Sequence, residues 1–339
     1  MTRPPRGPRL AGWAGLLCLG LVARSFAAPP DAPFELKDGD RVVLLGGTFI
    51  EREQEYGYLE TLLTSRFPDR NITFRNLGWS GDTVRGEARA RFGPPAEGFD
   101  HLKTHVEALK PTVIFVNYGL NESFAGKAGL GVFEKDLKTL LGVLDKTGAR
   151  IVLITPRRLE TLAPPLPDPT RANERLADYV AVLKSEAAKR SYRVVDLFDG
   201  WPPARAKAFT DDGIHLTAEG YRRAADVIVG MLGLTSPAAR VDLDWDGRVV
   251  KSDGCKADKI HASSDRLAFR LTCDRLPTPP NPPRAIDRDR SPTAKLGLSA
   301  IGPGTYRLLR EGTPVIEVSV PGRRSEFDLC LTPGGGPDT

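Results

Sequence analysis

Between residues 41 and 233 the chain alternates two kinds of apolar pattern. "RVVLLGG" (41–47), "NITFRNLG" (71–78), "PTVIFVNYG" (111–119), "RIVLITP" (150–156) and "YRVVDLF" (192–198) are short runs rich in Val, Ile, Leu and Phe. Such unbroken runs suit parallel strands covered on both faces. Between them lie helical stripes. Phe133, Leu137, Leu140, Leu141 and Leu144 recur at the spacing of one helix face, and Leu176, Tyr179, Val180, Leu183 and Ala187 do the same. Strands alternating with helices predict an α/β domain over 36–235 with a doubly wound parallel sheet, whose site lies at the carboxyl ends of the strands.

From about residue 238 the pattern changes. "RVDLDWDGRVV", "RLAFRLTC", "TYRLLREGTPVIEVSV" and "EFDLCL" read as strands joined by turns, with no convincing helix. This predicts a small antiparallel, β-rich C-terminal domain over 239–332. The Pro-rich segment 276–293, "LPTPPNPPRAIDRDRSPT", reads as a long exposed loop within it.

The start of the chain belongs to neither pattern. Arg3, Arg6 and Arg9 precede an uncharged apolar stretch, and small residues follow at Ser25, Ala27 and Ala28. That is the layout of a cleavable signal peptide, here 1–28, and the apolar stretch is short for a membrane span. An uncleaved N-terminal anchor is the alternative. The expectation is a secreted or periplasmic protein with no stable membrane insertion after cleavage. Removing Arg3, Arg6, Arg9 and Arg24 lowers the net charge from +5 to +1, which leaves no electrostatic case for nucleic acid as a partner. Cys255, Cys273 and Cys330 remain after cleavage. They allow at most one bridge, of which Cys255–Cys273 is one form, and three free thiols are the other reading.

Candidate chemistry gathers at the strand ends. The first strand runs into Gly46-Gly47-Thr48, the second into "NLGWSGDT" with Gly81, and the third into "NYGLNES" with Asn121. Far downstream "FTDDGIHLTAEGY" carries Asp212 and His215. An alcohol nucleophile needs a base, and His is the side chain best matched to neutral pH. The His in turn needs an acceptor on its other ring nitrogen, and Asp212 is close enough in sequence to turn back to it. A backbone N–H at Gly81 and the Asn121 amide can hold an oxyanion.

With those residues in view, the chain resembles the SGNH or GDSL-type hydrolases. "GGTF" (46–49) stands where that family has Gly-Asp-Ser-Leu, and "WSGDT" (79–83) matches its second block. "GLNE" (119–122) resembles Gly-x-Asn-Asp, and "DGIH" (212–215) matches Asp-x-x-His. The resemblance implies a flavodoxin-like sheet and a catalytic set of Thr48, Asp212 and His215. Gly81 and Asn121 become the oxyanion hole, and no metal or organic cofactor is needed. It further implies hydrolysis of a small-molecule or carbohydrate ester, most plausibly as a carbohydrate O-acetylesterase given export. Gly47 for Asp removes a carboxylate beside the nucleophile, and Glu122 for Asp is mild. Thr48 for Ser adds a methyl that stiffens χ1 and crowds the attacked carbonyl. The alternative is therefore an impaired domain serving as a glycan or envelope binding module, and a purely structural envelope protein is a third reading.

Other residues have plainer readings. Ser80 precedes the oxyanion glycine and reads as structural, and Asp211 reads as a solvated loop acid. His101 and His105 share a helix face but lack a third metal ligand, so they read as surface histidines. Asp242, Asp244, Asp246, Gly247 and Asp253 fall at positions 1, 3, 5, 6 and 12 of a calcium loop. Val241, Leu243 and Trp245 alternate with those acids, and Asp246-Gly247 is a turn signal, which favours a hairpin over calcium.

Overall fold

All five apolar runs form strands of one parallel sheet: β1 (Arg41–Gly46), β2 (Thr73–Gly78), β3 (Val113–Asn117), β4 (Arg150–Ile154) and β5 (Arg193–Val195). The computed structural model describes residues 33–202, 208–234, 239–273, 294–299, 304–310, 313–320 and 324–329. The strand order is β2-β1-β3-β4-β5, so the chain reverses its direction of growth at β1. A crevice therefore opens beyond the carboxyl ends of β1 and β3, where such sheets bind ligands.

Helices cover both faces. Val42 and Leu44 of β1 point into one layer, made by α1 (Thr48–Tyr56), α2 (Tyr58–Arg66) and α8 (Ala218–Met231). Val43 and Leu45 point into the other, made by α3 (Pro95–Leu109), α5 (Gly126–Asp145) and α6 (Thr170–Lys189). Both helical stripes seen in the sequence are fully committed to that second layer or its margin, with Leu137, Leu140, Leu141, Leu144 and Leu176 all at 0% exposure. Each such leucine contributes about 1.5–3 kcal/mol on burial, so the strand ends project from a rigid base. Two short helices, α4 (Leu120–Ser123) and α7 (Leu197–Gly200), follow β3 and β5 directly. No helix among the described residues is long and apolar enough to cross a membrane.

The C-terminal region is β-rich: β6 (Ala239–Asp244), β7 (Val249–Asp253), β8 (Cys255–Ala262), β9 (Leu267–Cys273), β10 (Ala294–Ser299), β11 (Gly304–Arg310), β12 (Thr313–Val320) and β13 (Arg324–Leu329). One feature corrects the sequence reading. The four-stranded sheet runs β13-β10-β6-β7, and β10 lies parallel to β6, so the region is mixed rather than antiparallel. Alternation of polar and apolar residues fixes which face a strand buries, not which strand lies beside it. The long chain between β6 and β10 is enough for the crossover that a parallel pair requires.

The acids of the calcium template lie along the β6–β7 hairpin. Asp244 Oδ1 accepts from Arg248 N at 2.7 Å, and Asp242 pairs with Arg240 at 2.9 Å, so these carboxylates serve the turn and the strand. Across β8–β9 the register sets Cys255 opposite Cys273. The expected signal segment 1–28, the Pro-rich segment 276–293 and Cys330 lie outside the described residues.

Candidate active site

The register brings three strand ends to one level. Gly46, the last residue of β1, pairs with Gly78 of β2 and with Asn117 of β3. The three loops that follow thus emerge side by side. Thr48 opens the first turn of α1, directly after Gly47. Its Oγ1 accepts a hydrogen bond from Gly81 N at 2.9 Å. Gly81 has φ +72°, in the region that disfavours side chains, and this turn aims its N–H at Thr48. Asn121 sits on α4 beyond β3, and its Nδ2 donates to Asp82 O at 2.9 Å. A carboxamide nitrogen has two protons, so one remains for a ligand.

Buried charge fixes these loops from behind. Asp82, 1% exposed, pairs with Arg89 Nε at 2.6 Å and accepts from the Tyr118 hydroxyl at 3.1 Å. Arg89 also donates to Leu77 O at 2.6 Å, and its guanidinium lies 5.7 Å from the ring of Trp79. Burial raises the Asp82 carboxyl, and Arg89 opposes the rise. Glu122 bridges the loops that carry Gly81 and Asn121, accepting from Val84 N and from Gly119 N, each at 2.9 Å. Desolvation raises its pKa from 4.5 to about 7, against those N–H donors and with help from nearby Asp82. Ser80 Oγ donates to Glu51 Oε2 at 2.9 Å, which ties the second loop to the first turn of α1.

The candidate base, His215, arrives on a separate loop, residues 209–216, ahead of α8. Thr217 caps that helix by accepting from Gly220 N at 3.1 Å. Asp212 Oδ1 accepts from Ile214 N at 2.9 Å and His215 N at 2.7 Å, while Oδ2 meets His215 Nδ1 at 2.6 Å. Partial burial acts to raise the Asp212 pKa, but the His215 and Ile214 contacts outweigh it and bring it from 3.8 to about 2. An ionised Asp212 requires a proton on Nδ1, which leaves Nε2 of neutral His215 as the acceptor. Tyr221 of α8 donates to Phe49 O at 3.0 Å and stacks on the Phe49 ring, so the His-bearing segment is tied to the residue next to Thr48. The Thr48 hydroxyl itself meets Gly81 rather than His215. Catalytic hydrogen bonds are often loose before substrate arrives.

Asp211 lies on the same loop, its N–H donating to His215 O at 3.2 Å, while the paired histidines lie on α3. His101 and His105 stack at 6.4 Å on α3, with His101 Nδ1 3.3 Å from Arg89 O. Several contributors escaped sequence reasoning: the Asp82–Arg89–Tyr118 cluster, the Glu51–Ser80 link, and Arg157 with Glu160 beyond β4. Glu122 carried a signal as the near-match in the third block, and Ser80 carried one as a structural residue of the second, though its partner Glu51 did not.

A profile of the GDSL-like lipase/acylhydrolase family matches residues 27–223. No curated protein matches the chain. Among solved structures the chain is similar to a gut microbial diltiazem-metabolizing enzyme, with 17% identity and a TM-score of 0.65 over 84% of this chain and 71% of that one. It is also similar to an acetylxylan esterase from Geobacillus stearothermophilus, with 20% identity and a TM-score of 0.47 over 59% of this chain and 97% of that one. A GDSL-like lipase from Parabacteroides merdae shows 18% identity and a TM-score of 0.49 over 60% and 100% of the two chains. The first of these likenesses shows the α/β fold. The family profile spans more than half of the chain and takes in every block from Thr48 to His215, so this protein belongs to the GDSL-like lipase/acylhydrolase family and is by class an ester hydrolase.

Proposed function

We propose that the protein is an exported esterase that uses Thr48 as its nucleophile and removes acetyl groups from carbohydrate. The observation that carries this reading is the Gly81 N–H on Thr48 Oγ1 at 2.9 Å, at the head of a helix and beside the oxyanion residue Asn121. In the acylation step His215 Nε2 takes the hydroxyl proton as Oγ1 bonds to the acyl carbon. The carbonyl electron pair moves onto oxygen, where Gly81 N–H and the second Asn121 N–H receive it. The tetrahedral adduct collapses, and the leaving alkoxide takes the proton from His215. Water then gives a proton to His215 and attacks the acyl group, and collapse releases the acid and restores Thr48. Asp212 keeps the imidazole in the required tautomer and stabilises its charged form throughout.

The carbohydrate preference draws support from the signal-like start and from Trp79, which is 37% exposed two residues before Gly81 and can stack on a sugar ring. The test is hydrolysis of an activated acetyl ester and of acetylated xylan by the mature chain, beside Thr48→Ala, His215→Ala and Thr48→Ser. Thr48→Ala and His215→Ala should abolish turnover, and Thr48→Ser should retain or raise it. Equal turnover in Thr48→Ala would remove Thr48 from the mechanism. A second reading rests on the Thr48 hydroxyl lying on Gly81 and not on His215. In that case the site binds glycan esters without turning them over: the native chain is silent, Thr48→Ser gains activity, and Asn121→Ala loses binding.

A further inference from the structure

The Asp212–His215 turn is closed on itself. Its hydrogen bonds set the internal shape of the pair, yet none of them says where the pair stands relative to Thr48. Tyr221 ties the helix after this loop to Phe49, and the loop itself is held by the segment after β4, residues 155–160, which matches no catalytic block. Arg157 is 8% exposed, and its Nη2 donates to Gly213 O at 3.4 Å and, more closely, to Ile214 O. Its Nη1 donates to Arg158 O at 2.6 Å, and the ring of Trp201 lies 5.7 Å from its Cζ. Glu160 grips the same loop at its other end. The Glu160 carboxylate accepts from Phe209 N at 3.0 Å and from Thr210 Oγ1 at 2.6 Å, and Glu160 N donates to Gly213 O at 2.9 Å.

The turn is shaped for this grip. Gly213 has φ +86°, and a Cβ there would come within 2.9 Å of Glu160 O. Thr210 Oγ1, held by Glu160, accepts in turn from Gly213 N at 3.1 Å. The start and apex of the 209–216 loop are therefore bonded to a segment that leaves the rigid sheet directly. An arginine suits this task because its planar fork reaches successive carbonyls, which a lysine ammonium cannot do with fixed geometry.

From this geometry we infer that Arg157 and Glu160 are positioning residues that hold His215 in register with Thr48. The inference rests on the esterase reading for its consequence in catalysis, while the strap itself is a statement about the loop. A base displaced by ~1 Å costs on the order of 10²-fold in rate. Arg157→Gln should accordingly lower kcat by about that factor with KM little changed, because no substrate contact is removed. Arg157→Lys should recover part of the loss, and Glu160→Gln should fall in between.

The experiment pairs steady-state hydrolysis of an activated acetyl ester with amide hydrogen exchange on the native mature chain and the three variants. In Arg157→Gln, amides of residues 213–216 should exchange at least about ten-fold faster while those of β1 and β3 stay protected. Native kcat in Arg157→Gln, or unchanged loop exchange, overturns the inference whatever the change in melting temperature. If Arg157→Gln does not fold, Arg157→Lys and Glu160→Gln read the same two quantities with the same criteria. If neither the native chain nor Thr48→Ser hydrolyses the ester, the esterase reading falls, and the exchange measurement alone decides the strap.

Discussion

The two halves of the site are built on different principles. The proposed oxyanion half hangs on short loops from the adjacent strands β1, β2 and β3, and buried ionisable groups fix it: Asp82 against Arg89, and Glu122 against two backbone N–H groups. The base half is a loop far along the chain, more exposed, whose dyad is self-contained and whose position depends on side chains reaching backbone carbonyls. Receptors for a developing charge must not reorganise during the reaction, so their supports are buried. A proton carrier needs a solvated approach for water, which fits the 34% exposed side chain of His215.

The largest expected effect separates the halves directly. Asp212→Asn leaves the turn nearly isosteric but forces the wrong tautomer on His215, and kcat should fall on the order of 10⁴-fold. Asn121→Ala removes one oxyanion donor and should cost on the order of 10²–10³-fold. Both are measured on the activated acetyl ester at saturating substrate. A larger loss in Asn121→Ala than in Asp212→Asn would mean that proton transfer contributes less here than charge stabilisation, and the ranking of the two halves would be reversed.

The halves also differed in how far the sequence revealed them. Thr48, Gly81, Asn121, Asp212 and His215 each sit in a short block whose residue types suit one chemical task, and the apolar runs before the first three place them at strand ends. Their supports are not local. Arg89 lies in "RGEARARFG", which has no apolar period, and nothing there distinguishes it from its exposed neighbour Arg91. Arg157 and Arg158 are adjacent and identical in type, yet one is enclosed beneath the His215 loop and the other packs over Phe198 at the surface. Burial of a charge depends on partners distant in sequence, so composition and period carry no trace of it. The same limit explains β10: "AKLGLS" is too short and too broken by Gly297 to stand out as a strand from its pattern alone, and its pairing with β6 is a long-range choice.

Breaking a buried support should cost more in stability than in shape. Arg89→Met keeps much of the side-chain volume and leaves Asp82 enclosed without its cation, a change expected to cost about 3–5 kcal/mol in unfolding free energy. Among the described residues Asp82 Oδ1 makes no close hydrogen bond, so the carboxylate depends on Arg89 and Tyr118 at Oδ2. Denaturant unfolding measures the loss. Arg158→Met, on an exposed ion pair with Asp199, provides the contrast and should change stability by about 0–1 kcal/mol. Equal effects from the two would show that the oxyanion half is not held by its buried pair.

The smallest effect carries a sign that distinguishes the halves. Glu122 is raised from 4.5 to about 7 in the folded protein, so between those values the folded state holds a proton that the unfolded chain has released. Its contribution is fully present below about pH 4.5 and is lost as pH rises through about 7, a change of about 3 kcal/mol. Glu53, enclosed in α1 and raised to about 8, acts in the same direction. Asp212 acts in the opposite one: lowered to about 2, it stabilises the fold above pH 3.8 and ceases to do so as pH falls through about 2. Unfolding free energy of the native chain should therefore decline between pH 5 and 8. Glu122→Gln should start lower, because Gln replaces one acceptor oxygen by a donor, but should show a shallower decline. In Asp212→Asn the part of the decline that belongs to Glu122 should persist, since the Asp212 carboxylate has finished titrating below this range. A decline as steep in Glu122→Gln as in the native chain would mean that the bridge between the oxyanion loops stays ionised throughout, held by its two backbone N–H donors despite its enclosure.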